Sequence, residues 1–408
     1  MRIRRTIPPS AAPISFLDLL SGLYGMFDHK VMENIENEMK EYFGVKHVFL
    51  VSSGKVALAL ILKALQGISK KKKVIIPAYT CYSVPSAVAM TGLDIVLCDI
   101  LPETLDYDFV ELEKLADEDT LCIVSTHLFG IPSDVCRIRD IGRRRGIYII
   151  EDAAQAMGAV SGGKKLGTLG DAAFFSLGRG KNITCGSGGI IVTSSEEISR
   201  GVHEHYLKLK EEPVREYINN IIEVFFMKIF MNPYFFWFPN GLPFLHIGET
   251  TYNKTFPMHR LNGFKAGLLQ RWKTKLEEYN NSRYIIGKYY INHLGLENRV
   301  PIYSDDYYYL RFPLYINNEI TKDNVCNRYK YFGISPMYPD SINNIMEISE
   351  KFAGTQFNHA EVIAKTLFTL PTHKLMEEYD KVRICERIKK CIAYTDTSDV
   401  PVSVDIPS

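Results

Sequence analysis

An acidic residue and a lysine each follow an apolar, strand-like run, and their types and order suggest a site. Asp152 ends the run in "IYIIEDAAQAMGA", and Lys181 lies after the run "DAAFFSL", between the glycines of "FFSLGRGKNITCGSGGIIVTS". A carboxylate at a strand end can simply cap the following helix, and a lysine in a loop is ordinarily a solvated charge. The two residues together allow a more specific interpretation.

A lysine and an acid in this arrangement suit pyridoxal 5'-phosphate as the cofactor. The lysine amine forms a Schiff base with it, and the acid keeps its pyridine nitrogen protonated, so that the ring accepts electrons. Its phosphate needs backbone amides, a hydroxyl and a helix N-terminus. The stretch "VSSGKVALAL" supplies two serines and Gly54 at the start of a predicted helix. The sequence therefore predicts Lys181 and Asp152 as catalytic residues.

The segments around these residues alternate between helix and strand. The predicted helices are "GKVALALILKALQG", "SVPSAVAMTG" and "SDVCRIRDIGRRRG", the last capped by Gly146; the predicted strands are "KKKVIIPAYT", "LDIVLCDI", "TLCIVSTHLFG" and "IYIIEDAA". This order predicts an α/β fold with a mainly parallel sheet flanked by helices. Ligands bind such sheets at the carboxyl ends of the strands, here residues 77–82, 125–127 and 151–155.

Two domains are expected, because 408 residues exceed the ~250–300 that a single core usually holds. Residues 1–260 are predicted to form a large cofactor-binding domain. Residues 261–408 are predicted to form a linking helix, over 261–294, and a small C-terminal α+β domain. That domain contains the strand "YYYLRFPLYI", the helix "KDNVCNRYKYFG", ended by Gly333, and the terminal helix "KLMEEYDKVRICERIKKCI".

Overall composition restricts the possible partners and compartment. The formal net charge is +1, so no overall field attracts nucleic acid or an anionic membrane. Eight cysteines are scattered without a CxxC pair, which favours buried free thiols over a metal site or disulfides. The start "MRIRRTIPPSAAPISFLDLL" is basic, but prolines and Asp18 interrupt the apolar part that a signal peptide requires. These features predict a cytoplasmic protein that contains no metal.

The sequence resembles the DegT/DnrJ/EryC1/StrS family of pyridoxal-phosphate sugar aminotransferases of fold type I. The resemblance rests on an ordered series of segments: "VSSGKVALALILKAL", "VIIPAYTCYSVPSAVAMTGLDIVLCDI", "THLFGIPSD", "IIEDAAQAMGA", "GTLGDAAFFSLGRGKNITCGSGGIIVTS", "GISPMYP" and "LFTLPTHKL". It implies that the large domain has mainly parallel strands and that a smaller C-terminal α+β domain follows.

The resemblance also implies roles for individual residues. Lys181 would form the Schiff base and shuttle the proton, and Asp152 would pair with the pyridine nitrogen. Gln155 would lie near the ring and its phenolic oxygen. The remaining implied cofactor contacts are Ser53, Gly54, Lys55, Ser176 and Tyr82.

Several positions depart from the family pattern, and three of these departures concern the expected cofactor contacts. Lys55 stands where a threonine is usual, and it could bind the phosphate by charge. Cys81 stands where an aromatic side chain usually stacks on the cofactor ring. Tyr79 or Tyr82 could supply the stacking ring instead. The alternative is that both tyrosines only pack in the core. The asparagine that a neighbouring subunit usually lends falls near Met258, followed by His259, Arg260 and Asn262.

The resemblance implies a homodimeric enzyme that moves an amino group from an amino acid, expected to be glutamate, to a keto sugar linked to a nucleotide. Such sugars serve polysaccharide and related glycan biosynthesis. A sugar dehydratase or lyase with the same cofactor is an alternative that Lys181 disfavours, because the family's dehydratases carry histidine there. A non-catalytic, cofactor-binding regulator is a second alternative, and the presence of both Lys181 and Asp152 argues against it.

An aromatic-rich insert over about residues 210–250 has no counterpart in shorter family members. Within the segment from Tyr217 to Leu245, residues 225–238 contain eight large rings, among them Phe235, Phe236 and Trp237. Charged residues and prolines interrupt every window long enough to span a membrane. The insert is predicted to be covered by the protein itself, as a lid or a dimer contact, while the alternative is contact with a membrane surface.

Overall fold

The computed structural model describes most of the chain. The described residues are 5–242, 250–295, 301, 304, 306–316 and 319–396. Residues 243–249 of the predicted insert lie outside them, as do the two ends of the predicted domains, 1–4 and 397–408. Among the described residues, no helix is long and apolar enough to cross a membrane.

A seven-stranded sheet forms the centre of the large part of the molecule and confirms the predicted fold. Its strands are β1 (His47–Val51), β2 (Lys73–Pro77), β3 (Asp94–Cys98), β4 (Thr120–Thr126), β5 (Tyr148–Asp152), β8 (Ala172–Ser176) and β9 (Gly189–Thr193), while β6 (Val160–Ser161) and β7 (Lys164–Lys165) pair separately. The order is β1-β9-β8-β5-β4-β2-β3, and only the pairs that include β9 are antiparallel in this sheet. The carboxyl ends of six strands therefore share one edge.

Helices cover both faces of this sheet. They are α1 (Phe16–Gly25), α2 (Val31–Phe43), α3 (Gly54–Ile68), α4 (Ser83–Thr91), α5 (Phe109–Leu115), α6 (Val135–Arg143) and α7 (Glu196–Leu207). Successive residues of a strand point to opposite faces, so Val48 and Leu50 join one apolar core while Phe49 and Val51 join the other. Burial on both faces explains why the strands read as continuous apolar runs. Helix α6 ends at Arg143, before the predicted cap Gly146.

The insert forms a long helix, α8 (Val214–Phe230), and a short one, α9 (Trp237–Asn240). Val224 and Met227 are buried in the apolar core on one face of the sheet, and Phe236 is also buried. Other apolar side chains stay exposed, with Phe226 55% and Phe235 51% accessible. The protein itself therefore covers only part of the insert.

The predicted linking helix is two helices, so the prediction of one continuous helix over 261–294 was wrong. Helix α10 (Gly263–Gly267) ends before α11 (Trp272–Leu294) begins. Helix α10 packs directly on α1, where a Cβ atom at Gly267 would lie 2.3 Å from the carbonyl oxygen of Ser21. Trp272 is fully buried and donates a hydrogen bond to Glu38 of α2 at 2.9 Å. These separate packing requirements break the helix.

The C-terminal part follows α11 and contains a two-stranded antiparallel sheet with helices. Its elements are β10 (Arg311–Tyr315), α12 (Glu319–Tyr329), α13 (Asn358–Thr366), β11 (Leu367–Pro371) and α14 (Glu378–Asp396). The predicted helix ended by Gly333 is α12 and a short 3-10 turn, with Gly333 in the left-handed conformation. The strand and the terminal helix that the sequence predicted are both present.

An N-terminal strap, residues 5–13, crosses the molecule from the C-terminal part to the sheet edge. Arg5 forms ion pairs with Glu377 and Asp380. The amide of Thr6 donates to the carbonyl of Pro233 in the insert at 2.8 Å. Further along, the strap reaches the loop that carries Lys181. It therefore touches three regions that are distant in sequence.

Candidate active site

The shared carboxyl edge of the sheet brings the predicted site residues together. Asp152 is the last residue of β5, Ser176 is the last residue of β8, and Lys181 lies in the loop after β8. Asp152 pairs in register with Phe174 of β8 and with Thr126 of β4. This placement agrees with the expectation for ligand sites on parallel sheets.

The Asp152 carboxyl is buried at this edge. Burial raises its pKa, while the Ala154 amide and the positive charge of Lys181 act in the opposite direction. Its Oδ1 accepts a hydrogen bond from the Ala154 amide at 3.0 Å. No helix follows directly in this described segment, so helix capping does not explain the acid. A buried acid with few partners can pair with a cationic group of a ligand.

Glu151 is adjacent in sequence but faces the other side of the strand, where it is fully partnered. It accepts hydrogen bonds from the backbone amides of Gly167, Leu169 and Gly170 at 2.6–2.8 Å. His127 Nδ1 accepts from the Ser133 amide at 3.1 Å, so Nε2 carries the proton that it donates to Glu151 at 3.0 Å. Burial raises the Glu151 pKa, but these bonds outweigh burial and the pKa lies below its usual value. Glu151 thus holds the strand end that presents Asp152.

The N-terminus of α3 meets the end of β8 beside this acid. Ser53 caps α3 by accepting a hydrogen bond from the Val56 amide at 3.3 Å. A Cβ atom at Gly54 would lie 3.1 Å from Cβ of Ser176, so the two backbones approach closely. The first amides of a helix lack helical partners and attract anions. Ser53, Gly54 and Ser176 therefore form a small cradle that suits a phosphate.

Lys55 adds a cation near this cradle. Its amine lies 4.7 Å from the centre of the Phe256 ring. Burial lowers the pKa of Lys55, and the nearby Cys81 thiol acts in the opposite direction. The lysine is thus close to the position where the family usually has an aromatic residue.

Gln155 and the candidate stacking rings contact the C-terminal part. Gln155 accepts from the Phe129 amide at 3.1 Å and donates to the Tyr338 hydroxyl at 2.8 Å. The buried Tyr79 ring packs on Tyr338, with centroids 5.2 Å apart and planes tilted by 60°. The Tyr82 hydroxyl donates to the carbonyl of Asp340 at 3.3 Å. Tyr338 is a contact residue that the sequence did not single out.

Two buried hydroxyls at the same edge have no hydrogen-bond partner among the described residues. They belong to Thr80, just after β2, and to Thr126, the last residue of β4. A buried hydroxyl without a partner costs free energy, and a polar ligand can supply one. Together with the acid, the lysine and the anion cradle, these hydroxyls fit pyridoxal phosphate.

The basic and polar cluster proposed for subunit contact is engaged within its own chain. Arg260 donates to the carbonyls of Tyr206 and Leu207 at 3.2 and 3.0 Å. Asn262 caps α10 and donates to Glu212 at 2.6 Å. The His259 amide donates to the Ser52 hydroxyl at 3.2 Å. These contacts hold the insert and the residues before α10 against the end of β1.

Comparison with solved structures identifies the fold as that of sugar aminotransferases. PseC of Helicobacter pylori, an aminotransferase involved in the biosynthesis of pseudoaminic acid, superposes with a TM-score of 0.77 at 18% identity and covers 95% of this chain and 100% of its own. Spr1654 of Streptococcus pneumoniae, a putative sugar aminotransferase solved in a PLP form, gives 0.73 at 17% identity over 96% and 99%.

Residues 21–389 match the DegT/DnrJ/EryC1/StrS aminotransferase family, and the chain belongs to this family. The resemblance inferred from sequence is thereby confirmed. A curated relative, GDP-perosamine synthase of Vibrio cholerae, is 34% identical over 185 residues, which is 45% of this chain and 49% of that protein. The chain thus spans about half the length of the curated relatives it matches.

Proposed function

We propose that this chain is a pyridoxal-phosphate-dependent aminotransferase that moves an amino group from an amino acid to a nucleotide-linked keto sugar. The proposal is carried by one observation: a buried acid, Asp152, lies at the carboxyl edge of the sheet, close enough to Lys181 for the positive charge of the lysine to act against the raised pKa of the acid. Family membership supports the same reaction, and a relative that makes a GDP-linked amino sugar supports the substrate class. Polysaccharide or related glycan biosynthesis is the proposed setting.

Each site residue has a defined task in this proposal. When bound, pyridoxal phosphate supplies a ring that withdraws electrons from the carbon next to the reacting nitrogen. Asp152 holds a proton on the pyridine nitrogen, and the Lys181 amine holds the cofactor covalently and then moves a proton. Ser53, Gly54, Lys55 and Ser176 bind the phosphate.

Two further residues complete the proposed cofactor contacts. Gln155 positions the ring near its phenolic oxygen, and Tyr82 stacks on the ring in place of the usual aromatic residue. Tyr79 is the poorer candidate for stacking, because its ring is buried against Tyr338. Tyr82 also contacts the C-terminal part, because its hydroxyl donates a hydrogen bond to the carbonyl of Asp340.

The function is tested by a half-reaction on the purified protein loaded with pyridoxal phosphate. The bound cofactor is expected to absorb in the near-visible range, and L-glutamate alone is expected to bleach this absorbance as the amino group is transferred. A keto sugar on a nucleotide should then restore it. Absence of bleaching with every proteinogenic amino acid would contradict an aminotransferase and favour the regulator.

We also propose a homodimer, and the structure offers apolar surfaces for it. Helix α1 exposes five large apolar side chains, two more follow just after its end, and α8 exposes a second set. The α1 group is Phe16, Leu17, Leu20, Leu23, Tyr24, Met26 and Phe27. Exposed patches of this kind mark protein or membrane contacts. A second copy of the chain is the proposed cover, which also extends the earlier expectation that protein covers the insert.

Light scattering is expected to give twice the 46.5 kDa of one chain. Replacing Phe226 and Phe235 together with serine should weaken the dimer by about tenfold or more, because aromatic interface residues often contribute over ~1 kcal/mol each. Val110→Ser is the matched control, since Val110 is exposed and apolar but lies outside both surfaces. A monomeric wild-type protein, or an unchanged dimer with loss of liposome binding in the double variant, would contradict this proposal.

A further inference from the structure

The loop that carries Lys181 has little secondary structure to fix its shape. Residues 177–188, between β8 and β9, contain neither helix nor strand. Glycines flank the lysine, and Gly180 has a φ of +71°, in the left-handed region. Such a segment has many accessible conformations unless other groups hold it. The loop has some hydrogen bonds of its own, such as that from the Lys181 amide to the carbonyl of Gly178 at 3.3 Å, and contacts from other segments supply the rest.

Three consecutive carbonyl groups of this loop accept hydrogen bonds from distant side chains. The Ser10 hydroxyl of the strap donates to the carbonyl of Gly180 at 2.7 Å. The Arg283 guanidinium of α11 donates to the carbonyl of Lys181 at 3.1 Å and to that of Asn182 at 3.2 Å. The strap and α11 thus each bind the backbone next to the lysine, one on either side of it.

Arg283 is an unusual residue for a purely structural contact. It is fully buried, and no carboxylate among the described residues forms an ion pair with it. Burial lowers its pKa to about 9, and its Nε has no hydrogen-bond partner in the described part of the chain. Burying such a charge is costly. Its remaining partner is Asn280, whose Oδ1 accepts a hydrogen bond from Arg283 at 3.0 Å and another from the Asn182 side chain at 3.1 Å. Asn280 therefore adds a further contact to the loop.

We propose that Ser10 and Arg283 are positioning residues, which hold the backbone on both sides of Lys181 so that its amine points toward Asp152 and the cofactor aldehyde. The inference rests on the proposed function. In that reaction the lysine nitrogen attacks the aldehyde carbon, a carbon–nitrogen double bond forms, and the oxygen leaves as water. Holding reacting atoms in alignment is worth large rate factors, so a loosened loop slows this step without changing how the phosphate is held.

The test measures the rate at which apo-protein becomes covalently linked to pyridoxal phosphate. Samples are quenched with borohydride at set times, and mass spectrometry measures the fraction modified at Lys181. Ser10→Ala is expected to slow attachment by about 3–10-fold, from the loss of one hydrogen bond. Arg283→Lys keeps the charge but cannot donate to both carbonyls at once with a planar guanidinium. It is expected to slow attachment by about tenfold or more.

Two controls separate positioning from general loosening. Thr91→Val removes a hydroxyl bond of the same length, from Thr91 to the carbonyl of Val88 at 2.7 Å, at the end of α4 that lies away from the site, and should leave the attachment rate unchanged. Pyridoxine phosphate, which lacks the aldehyde, should bind Ser10→Ala as tightly as wild type. If Arg283→Lys fails to fold, the attachment rate of Ser10→Ala still tests the proposal, because Ser10 is only half-buried.

The outcomes distinguish this inference from the proposed function. Attachment at the wild-type rate in Ser10→Ala, with wild type itself modified at Lys181, would overturn the positioning role and leave the aminotransferase standing. Equal weakening of pyridoxine phosphate binding would also overturn it, because the cradle would then be disturbed. A wild-type protein never modified at Lys181 would overturn both.

Discussion

Replacing Lys181 with alanine is expected to abolish amino transfer and to remove the covalent attachment of pyridoxal phosphate. A positioned proton-transfer group typically contributes about 10²–10⁴-fold to rate, and this lysine has a second task as the covalent anchor. We therefore expect turnover to fall by at least about 10³-fold. The measurement is the half-reaction with L-glutamate, together with borohydride trapping of the cofactor.

Lys55→Ala is the matched control for this variant, because Lys55 is the other lysine predicted to bind the cofactor. It should bind pyridoxal phosphate more weakly, through loss of a cation near the phosphate, yet remain modified at Lys181. If Lys181→Ala kept wild-type turnover while Lys55→Ala lost the covalent linkage, the two roles would have been assigned to the wrong lysines.

The second large effect is expected for Asp152→Asn. An amide has nearly the same shape as the carboxyl, so cofactor binding should largely persist. It cannot hold a proton on the pyridine nitrogen by charge, and the ring then accepts electrons poorly. We expect turnover to drop by about 10²-fold or more, within the range of lost electrostatic stabilisation in buried sites. Retained cofactor with lost bleaching by L-glutamate is the expected signature.

Glu151→Gln provides the comparison for this acid. Glu151 is bonded to His127 and to three backbone amides, so its loss should mainly lower the melting temperature. Full activity in Asp152→Asn combined with an inactive but stable Glu151→Gln would show that the wrong member of the pair had been assigned to the cofactor.

Those parts of the fold that depend on local pattern could be predicted from the sequence. The strand ending at Asp152 and the helix starting after Ser53 were predicted because apolar runs and a capping serine are short-range signals. The edge they share follows from the parallel topology, which alternation of helix and strand predicts. For these reasons the sequence alone predicts that the acid, the lysine and the cradle residues lie at one edge of the sheet.

Features that depend on distant contacts were missed. The break between α10 and α11 follows from the close approach of Gly267 to Ser21 of α1. The local sequence pattern does not predict this contact between distant segments. Ser10, Arg283 and Tyr338 reach the site from segments far from Lys181 in sequence. The sequence also did not reveal that Asn262, which the resemblance places near a subunit contact, caps its own helix and binds Glu212.

The contacts of the N-terminal strap restrict the order in which parts of the chain can fold during synthesis. Arg5 pairs with a residue 375 positions later, and the carbonyl of Pro8 meets His373, 365 positions later. During synthesis, at about 5–20 residues per second, these residues emerge long before their partners exist. Contacts over such separations also carry the largest loop-closure entropy. The strap can therefore make all its contacts only after residues 373–380 have been synthesised, so the loop that carries Lys181 is held by a fully anchored strap only late in folding.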